Sequence, residues 1–237
     1  MTTLALRPLS SSLTAVAAVA ALLSGICARA DDAYNNSVRL GSYTVLYHTS
    51  ADDLAGPYVP PGVNLQTENV VTLYGAYVRT LSSRFDVEFA AGWPPLVSTK
   101  GVGPARLGSV PYNGEIVASA RWIAPSLLVE YKFLSANAQF RPYIGVGATF
   151  VSFYDREFTA EGQAAAGGPT KVSLSNSIGP AATVGVTGRI TAHWHAYASW
   201  SIARVDTNLT ANTEGVIRTT HIDFGPQAVV LAVGYSF

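Results

Sequence analysis

The 237-residue chain has one cysteine, Cys27, one methionine, and charged residues at only 13%. A single thiol allows neither an intrachain disulfide nor a thiolate metal cluster, so stability has to come from backbone pairing and packing. Charge at roughly half the usual ~25% of a soluble domain means that something other than water solvates part of the surface. Long apolar runs are also missing. After Asp31 no stretch of 18 apolar residues occurs, which excludes a membrane protein built from spanning helices.

The apolar run that does occur is "LTAVAAVAALLSGIC", Leu13 to Cys27. It follows a basic start at Arg7 and precedes Ala28-Arg29-Ala30, a small-residue cleavage pattern, so residues 1–30 read as a secretory signal peptide that is cleaved. A membrane anchor would need about 20 apolar residues, and a lipid-modified Cys27 would need a small residue where Ile26 stands. Residues 31–237 are then expected to form one domain. Losing Arg7 and Arg29 takes the fifteen basic residues to thirteen against fifteen acidic ones, a balance that argues against nucleic acid as a partner.

What the rest of the chain has in abundance is β-branched, aromatic and glycine residues alternating in stretches of about ten, the period of strands rather than helices. Eight strands are predicted, over 37–48, 68–80, 84–93, 117–133, 141–154, 178–190, 194–206 and 218–237. The connections alternate: long segments at 49–67, 94–116, 155–177 and 207–217, short turns at 81–83, 134–140 and 191–193. Soluble sandwiches have no reason to segregate loop lengths in this way, whereas outer-membrane barrels have long extracellular loops and short periplasmic turns. The fold class expected is all-β: an eight-stranded antiparallel transmembrane β-barrel in a bacterial outer membrane. The loop segments "ADDLAGPYVPPG" and "AEGQAAAGGPT" are dense in turn-forming residues.

"FRPYIGVGATFVSFYD", Phe140 to Asp155, resembles a strand of the outer-membrane protein W (OmpW) family of eight-stranded barrels. "VRLGSYTVLY", "APSLLVEYKF", "SIGPAATVGVTGRIT", "SWSIARVDT" and "HIDFGPQAVVLAVGYSF" resemble its first, fourth, sixth, seventh and last strands, in that order. The resemblance implies a Gram-negative, porin-like barrel that passes or binds small hydrophobic molecules, with no cofactor and no enzymatic activity.

In a barrel, alternate side chains face lipid and lumen. Parity assigns Phe85, Val87, Phe89, Ala91 and Trp93 to lipid and Asp86, Glu88 and Ala90 to the lumen. It assigns Val229, Leu231, Val233, Tyr235 and Phe237 outward, and Glu130, Lys132 and Arg189 inward. Trp194, Trp200, Trp93 and Tyr131 fall where interfacial aromatic girdles sit. With a periplasmic N-terminus, Arg39, Arg79, Asp86, Glu88, Glu130, Lys132, Arg141 and Arg189 all lie toward the periplasmic end, and opposite charges at short range in a low-dielectric interior attract strongly. An ion-paired floor is expected there. Above it the predicted lining is Tyr43, Val45, Tyr47, Val71, Leu73, Ala90, Val151, Phe153 and Ser201. The upper lumen should therefore be apolar, and too narrow at eight strands for a general aqueous pore.

Catalytic alternatives are poor. "HTS", His48 to Ser50, pairs a base and a hydroxyl at a spacing common by chance. His193 and His195 could touch one metal, but no further ligand stands near in sequence, so no metal site is expected. The function expected is passive uptake or binding of small hydrophobic molecules, the outer-membrane lipid being the surrounding partner. The alternative is an adhesive surface barrel that works through its long loops, with an inert lumen. The closing aromatic, Phe237, with Tyr235 two residues before it, also resembles the signal read by the outer-membrane insertion machinery.

Overall fold

The computed structural model describes residues 35–103, 106–107 and 110–237, so the predicted signal segment 1–30 lies outside the described residues. Among these the chain forms β1 (Asn36–Tyr47), β2 (Ser50–Ala51), β3 (Asn64–Thr67), β4 (Val70–Thr80), β5 (Phe85–Gly92), β6 (Leu96–Val102), β7 (Arg106–Leu107), β8 (Val110–Pro111) and β9 (Ile116–Ile123). It continues with β10 (Ser126–Lys132), β11 (Phe140–Phe158), β12 (Thr170–Leu174), β13 (Ser177–Arg189), β14 (Trp194–Ala203), β15 (Asp206–Thr213), β16 (Val216–Asp223) and β17 (Pro226–Ser236). One short helix, Ala160–Ala166, precedes β12.

Eight of these strands are the staves of a closed antiparallel barrel, in the order β10-β5-β4-β1-β17-β14-β13-β11, with β11 pairing back onto β10. Closure is what an apolar medium demands, since a bare strand edge would leave backbone groups without partners. The seam between the first and last staves runs from Ser37 opposite Ser236 to Tyr47 opposite Pro226. It ends in reciprocal backbone bonds between Asn36 and Phe237 at 3.1 and 2.8 Å. Along β17 the odd residues Val229, Leu231, Val233 and Tyr235 are exposed on the outer face and the even ones are buried. Trp93, Trp194 and Trp200 also lie on the outer face.

Beyond the staves, the segments expected to be long loops are ordered. β11 runs on past a bulge between Tyr154 and Glu157 to pair with β9, which pairs with β6 and β6 with β3. On the other side β12, β15, β16 and β2 form a four-stranded sheet. The β15–β16 hairpin turns on Glu214 and Gly215, at φ of 50° and 98°, the conformation that matches the twist of paired strands. Two predicted strands therefore divide. The span 117–133 is β9 and β10, separated at Ala124-Pro125, and 218–237 is β16 and β17, separated at Phe224-Gly225. Proline removes a ladder donor and Gly225 takes a positive φ of 44°, so the regular strand stops although the apolar pattern continues.

Candidate functional site: a lumen with a charged floor

The floor is built from three staves. Arg39 on β1 is 2% exposed and Glu130 on β10 is 1% exposed. The Arg39 guanidinium donates to the Glu88 carboxylate on β5 and, through both terminal nitrogens, to the two oxygens of Glu130 at 3.2 Å each. The face of Tyr197 lies 4.0 Å below the same guanidinium, with Tyr143 at 5.8 Å, adding cation–π attraction where water is excluded. Tyr74 Oη donates to the second oxygen of Glu88 at 2.8 Å. Alongside, Lys132 pairs with Asp86 at 2.8 Å. Strand parity turns these groups inward, and the register between staves sets them at one level, with Glu130 directly opposite Asp86. Glycines make room for the rings: a Cβ at Gly185 would come within 2.6 Å of the Tyr143 ring and hydroxyl, and one at Gly234 within 2.5 Å of the Tyr197 ring.

Three residues expected in this network are elsewhere. Arg141 is buried, but its terminal nitrogen donates to the Ser83 carbonyl at 2.6 Å. Arg189 is exposed and donates to the Asn137 carbonyl at 2.8 Å. Both stand at the turn end of their strands, where backbone carbonyls are nearer than the carboxylates. Arg79 likewise bonds the Asn36 side chain, 2.7 Å away.

Above the floor the lumen is apolar. Val45, Val97, Trp122, Val151, Phe153, Val205, Leu209, Ile222 and Phe224 form one buried cluster, with Tyr43 and Tyr47 packed against it. They surround a cavity of about 180 Å³ that reaches down to Ala90, Ser201 and Glu88. Engineered apolar cavities of about 150 Å³ hold benzene. Of the predicted lining, Tyr43, Val45, Tyr47, Ala90, Val151, Phe153 and Ser201 border this cavity. Leu73 does not: it is 69% exposed on the outer face, as is its neighbour in parity Val71, and the inward residues of β4 are Tyr74, Ala76 and Val78. "VVTLYGAYV" is mostly apolar on both faces, and Thr72 within it and Arg79 just after it have opposite parity, so its polar residues give conflicting assignments.

The residues that sequence reasoning missed come from the extensions. Leu209 and Ala211 on β15 and Ile222 on β16 are buried, with Thr207 and Thr213 in phase with them and Asn208, Thr210 and Asn212 out of phase. That alternation was a usable strand signal, hidden by the high content of polar residues. A second small cluster, Val63, Tyr112, Val117 and Ala165, packs the helix onto the extension, and burial there pushes the Tyr112 phenol above its ordinary range.

Among the described residues the backbone ladder is interrupted beside the cavity between β4 and the segment that follows β5. On the β4 side of β5 the pairing ends at Tyr74 opposite Gly92 and a bond from Trp93 N to the Leu73 carbonyl at 2.8 Å. Pro94 and Pro95 then offer no N–H, and the next backbone bond across this seam is Glu68 N to the Ser98 carbonyl. Tyr43 lies against this place from inside, since a Cβ at Gly92 would come within 2.9 Å of its ring. His193 stacks on Tyr235 with its Nδ1 2.9 Å from the Ser236 carbonyl, and His221 Nδ1 lies 3.1 Å from Asn208 Oδ1.

Comparison with known proteins gives a consistent answer. A family model described as the OmpW family matches residues 97–237. Outer membrane protein W of Vibrio cholerae serotype O1 is 30% identical over 200 residues, covering 84% of this chain and 87% of that protein. Its counterpart in Escherichia coli K12 is 27% identical over 148 residues, 60% of this chain and 69% of that protein. The crystal structure of OprG from Pseudomonas aeruginosa is similar with a TM-score of 0.78 at 20% identity, covering 88% of this chain and 98% of OprG. AlkL, solved by solid-state NMR in lipid bilayers, gives 0.63 at 19% identity, with 89% and 94% covered. These two structures speak for the fold alone.

Proposed function

Since the chain belongs to the OmpW family of outer-membrane barrels, we propose that it takes up small hydrophobic molecules passively from outside the cell through its apolar upper lumen. The observation that carries this reading is the apolar cavity standing on an ion-paired floor. A molecule that leaves water for contact with Val45, Val151, Phe153 and the ring of Tyr43 gains about 25 cal/mol for each Å² of apolar surface it buries. It gains nothing by going further down, because reaching the periplasm would mean separating Arg39 from Glu88 and Glu130 in a low-dielectric interior.

Exit is then sideways into the bilayer, between β4 and the Pro94-Pro95 segment. The support for this step is that, among the described residues, only the Thr72 hydroxyl donating to the Trp93 carbonyl at 2.7 Å bridges the gap between the Trp93–Leu73 and Glu68–Ser98 backbone bonds, and that the Tyr43 ring, a movable side chain, stands between cavity and wall. The cavity lining is mostly apolar and the outward set faces hydrocarbon, so the route runs through largely apolar surroundings. Cleavage of residues 1–30 would deliver the chain to the envelope, and Phe237, paired with Asn36 across the seam, would serve the insertion machinery as the outward aromatic of the closing strand.

Uptake of a radiolabelled alkane by cells with and without the gene tests the reading. Faster uptake with the gene is the expected result; equal uptake would sink it in favour of a surface role for the extracellular segments. In planar bilayers the protein should show no large ohmic current, and a salt-proportional conductance would contradict a closed floor.

A further inference from the structure

In the middle of the apolar cluster one polar group is unaccounted for. Trp122 on β9 is 6% exposed, lines the cavity, and its Nε1 is buried with no hydrogen-bond partner. A buried N–H without a partner costs about 1–3 kcal/mol, so a native lumen is not expected to carry one without a use. The Tyr47 hydroxyl lies next to it, close enough to interact with the indole but outside hydrogen-bond geometry. Tyr47 also borders the cavity and packs edge-on against Phe224 at 6.1 Å.

The geometry points to a two-step relay that receives one oxygen acceptor at the head of an otherwise aliphatic ligand: Trp122 N–H donates to the Tyr47 oxygen, and the Tyr47 O–H donates to the ligand. This rests on the reading of the lumen as a hydrophobic uptake site and narrows its substrate class to neutral, oxygen-bearing amphiphiles such as long-chain ketones, esters or alcohols. A bound acceptor draws the Tyr47 hydroxyl hydrogen toward itself and shifts the ring so that the oxygen comes into line with the indole N–H, satisfying both donors together; hydrogen bonds in such a chain polarise one another. The ligand head is neutral because Val45, Phe153, Ile222 and Phe224 around the relay carry no charge, and a carboxylate buried among them would be uncompensated. Two cations do line the cavity nearer its mouth. Arg156 donates to the Leu174 carbonyl, and Arg218 to the Ala166 carbonyl and Thr213, so neither guanidinium has a carboxylate partner there, and an acidic head would be drawn to them instead.

The test uses the full barrel folded in detergent micelles, with the indole N–H resonance of Trp122 assigned by its loss in Trp122→Phe. Dodecane, 2-dodecanone and dodecanoate are titrated in turn. The ketone should move the Trp122 indole proton downfield and dodecane should bind without moving it. Tyr47→Phe, which removes a single oxygen, should weaken the ketone roughly fivefold, the share of one net hydrogen bond, and leave dodecane unchanged. Equal binding and equal shifts for alkane and ketone would overturn the relay and leave the uptake reading intact. Dodecanoate binding more tightly than the ketone, insensitive to Tyr47→Phe, would overturn it in favour of Arg156 and Arg218. Binding of none of the three would overturn the relay together with the uptake reading.

Discussion

Replacing Arg39 by methionine removes the one cation that Glu88 and Glu130 share while keeping most of the side chain's volume. In the native barrel the guanidinium makes hydrogen bonds to both carboxylates and lies 4.0 Å from the centre of the Tyr197 ring. Without it two buried carboxylates face each other, and only Tyr74 still donates to one of them. Breaking a buried pair by removing one partner costs about 3–5 kcal/mol, and the lost ring contact adds about 0.5–2 kcal/mol. The expected loss is therefore about 4 kcal/mol or more at neutral pH. It should shrink as the pH falls, because protonating a carboxylate removes the uncompensated charge. The triple variant Arg39→Met, Glu88→Gln, Glu130→Gln should recover most of the loss, since amides need no counter-charge. Urea unfolding in lipid vesicles, followed by the fluorescence of the lipid-facing Trp93, Trp194 and Trp200, measures all three proteins. A loss under about 1 kcal/mol for Arg39→Met, or a triple variant as unstable as the single one, would refute the picture of a dry, mutually dependent floor.

Gly41→Ala should prevent the seam from closing, since its Cβ would lie 2.1 Å from the Leu231 carbonyl oxygen and 2.5 Å from Ala232 Cα; both are backbone that cannot swing away, and the yield of folded barrel on electrophoresis reads the effect. Leu73→Lys should cost up to about 2–4 kcal/mol, the cost of a lysine on the lipid face at mid-membrane depth, in the same vesicle unfolding assay, whereas a lysine pointing into the lumen at that position would leave stability much less affected. Replacing Pro94 and Pro95 by valine restores two N–H donors opposite β4; ligand release to the bilayer should slow while equilibrium binding in the cavity is unchanged, and unchanged release kinetics would argue for another exit.

Much of the barrel was legible because its rules are local. The alternation Asp86, Glu88, Ala90 against Phe85, Val87, Phe89 assigns two faces without reference to any other strand. The same parity applied to Arg39, Glu130 and Lys132 brings their charges to one level. Where the alternation is weak, as in the mostly apolar "VVTLYGAYV", the assignment failed and Leu73 was placed on the wrong face. Where it is present but polar, as in Thr207 to Thr213, the strand was taken for a loop. Leu209 was lost from the lining with it, Val97 fell in another segment read as a loop, and Trp122, Ile222 and Phe224 lay inside predicted strands without being assigned to the lumen.

The one-dimensional pattern of period two, the scarcity of charge and the alternation of long and short connections together determined a closed eight-stranded barrel in a lipid environment, because each follows from what single strands must satisfy in that solvent. The tertiary structure decided the rest. Which of the five basic residues expected at the floor find carboxylates depends on the stagger between staves and on competing backbone carbonyls, which is why Arg39 and Lys132 are ion-paired while Arg141 and Arg189 are held by Ser83 and Asn137. That the extensions roof the cavity, and that Tyr47 stands beside an unpartnered Trp122, depends on contacts between residues far apart in the chain, and no local periodicity encodes those.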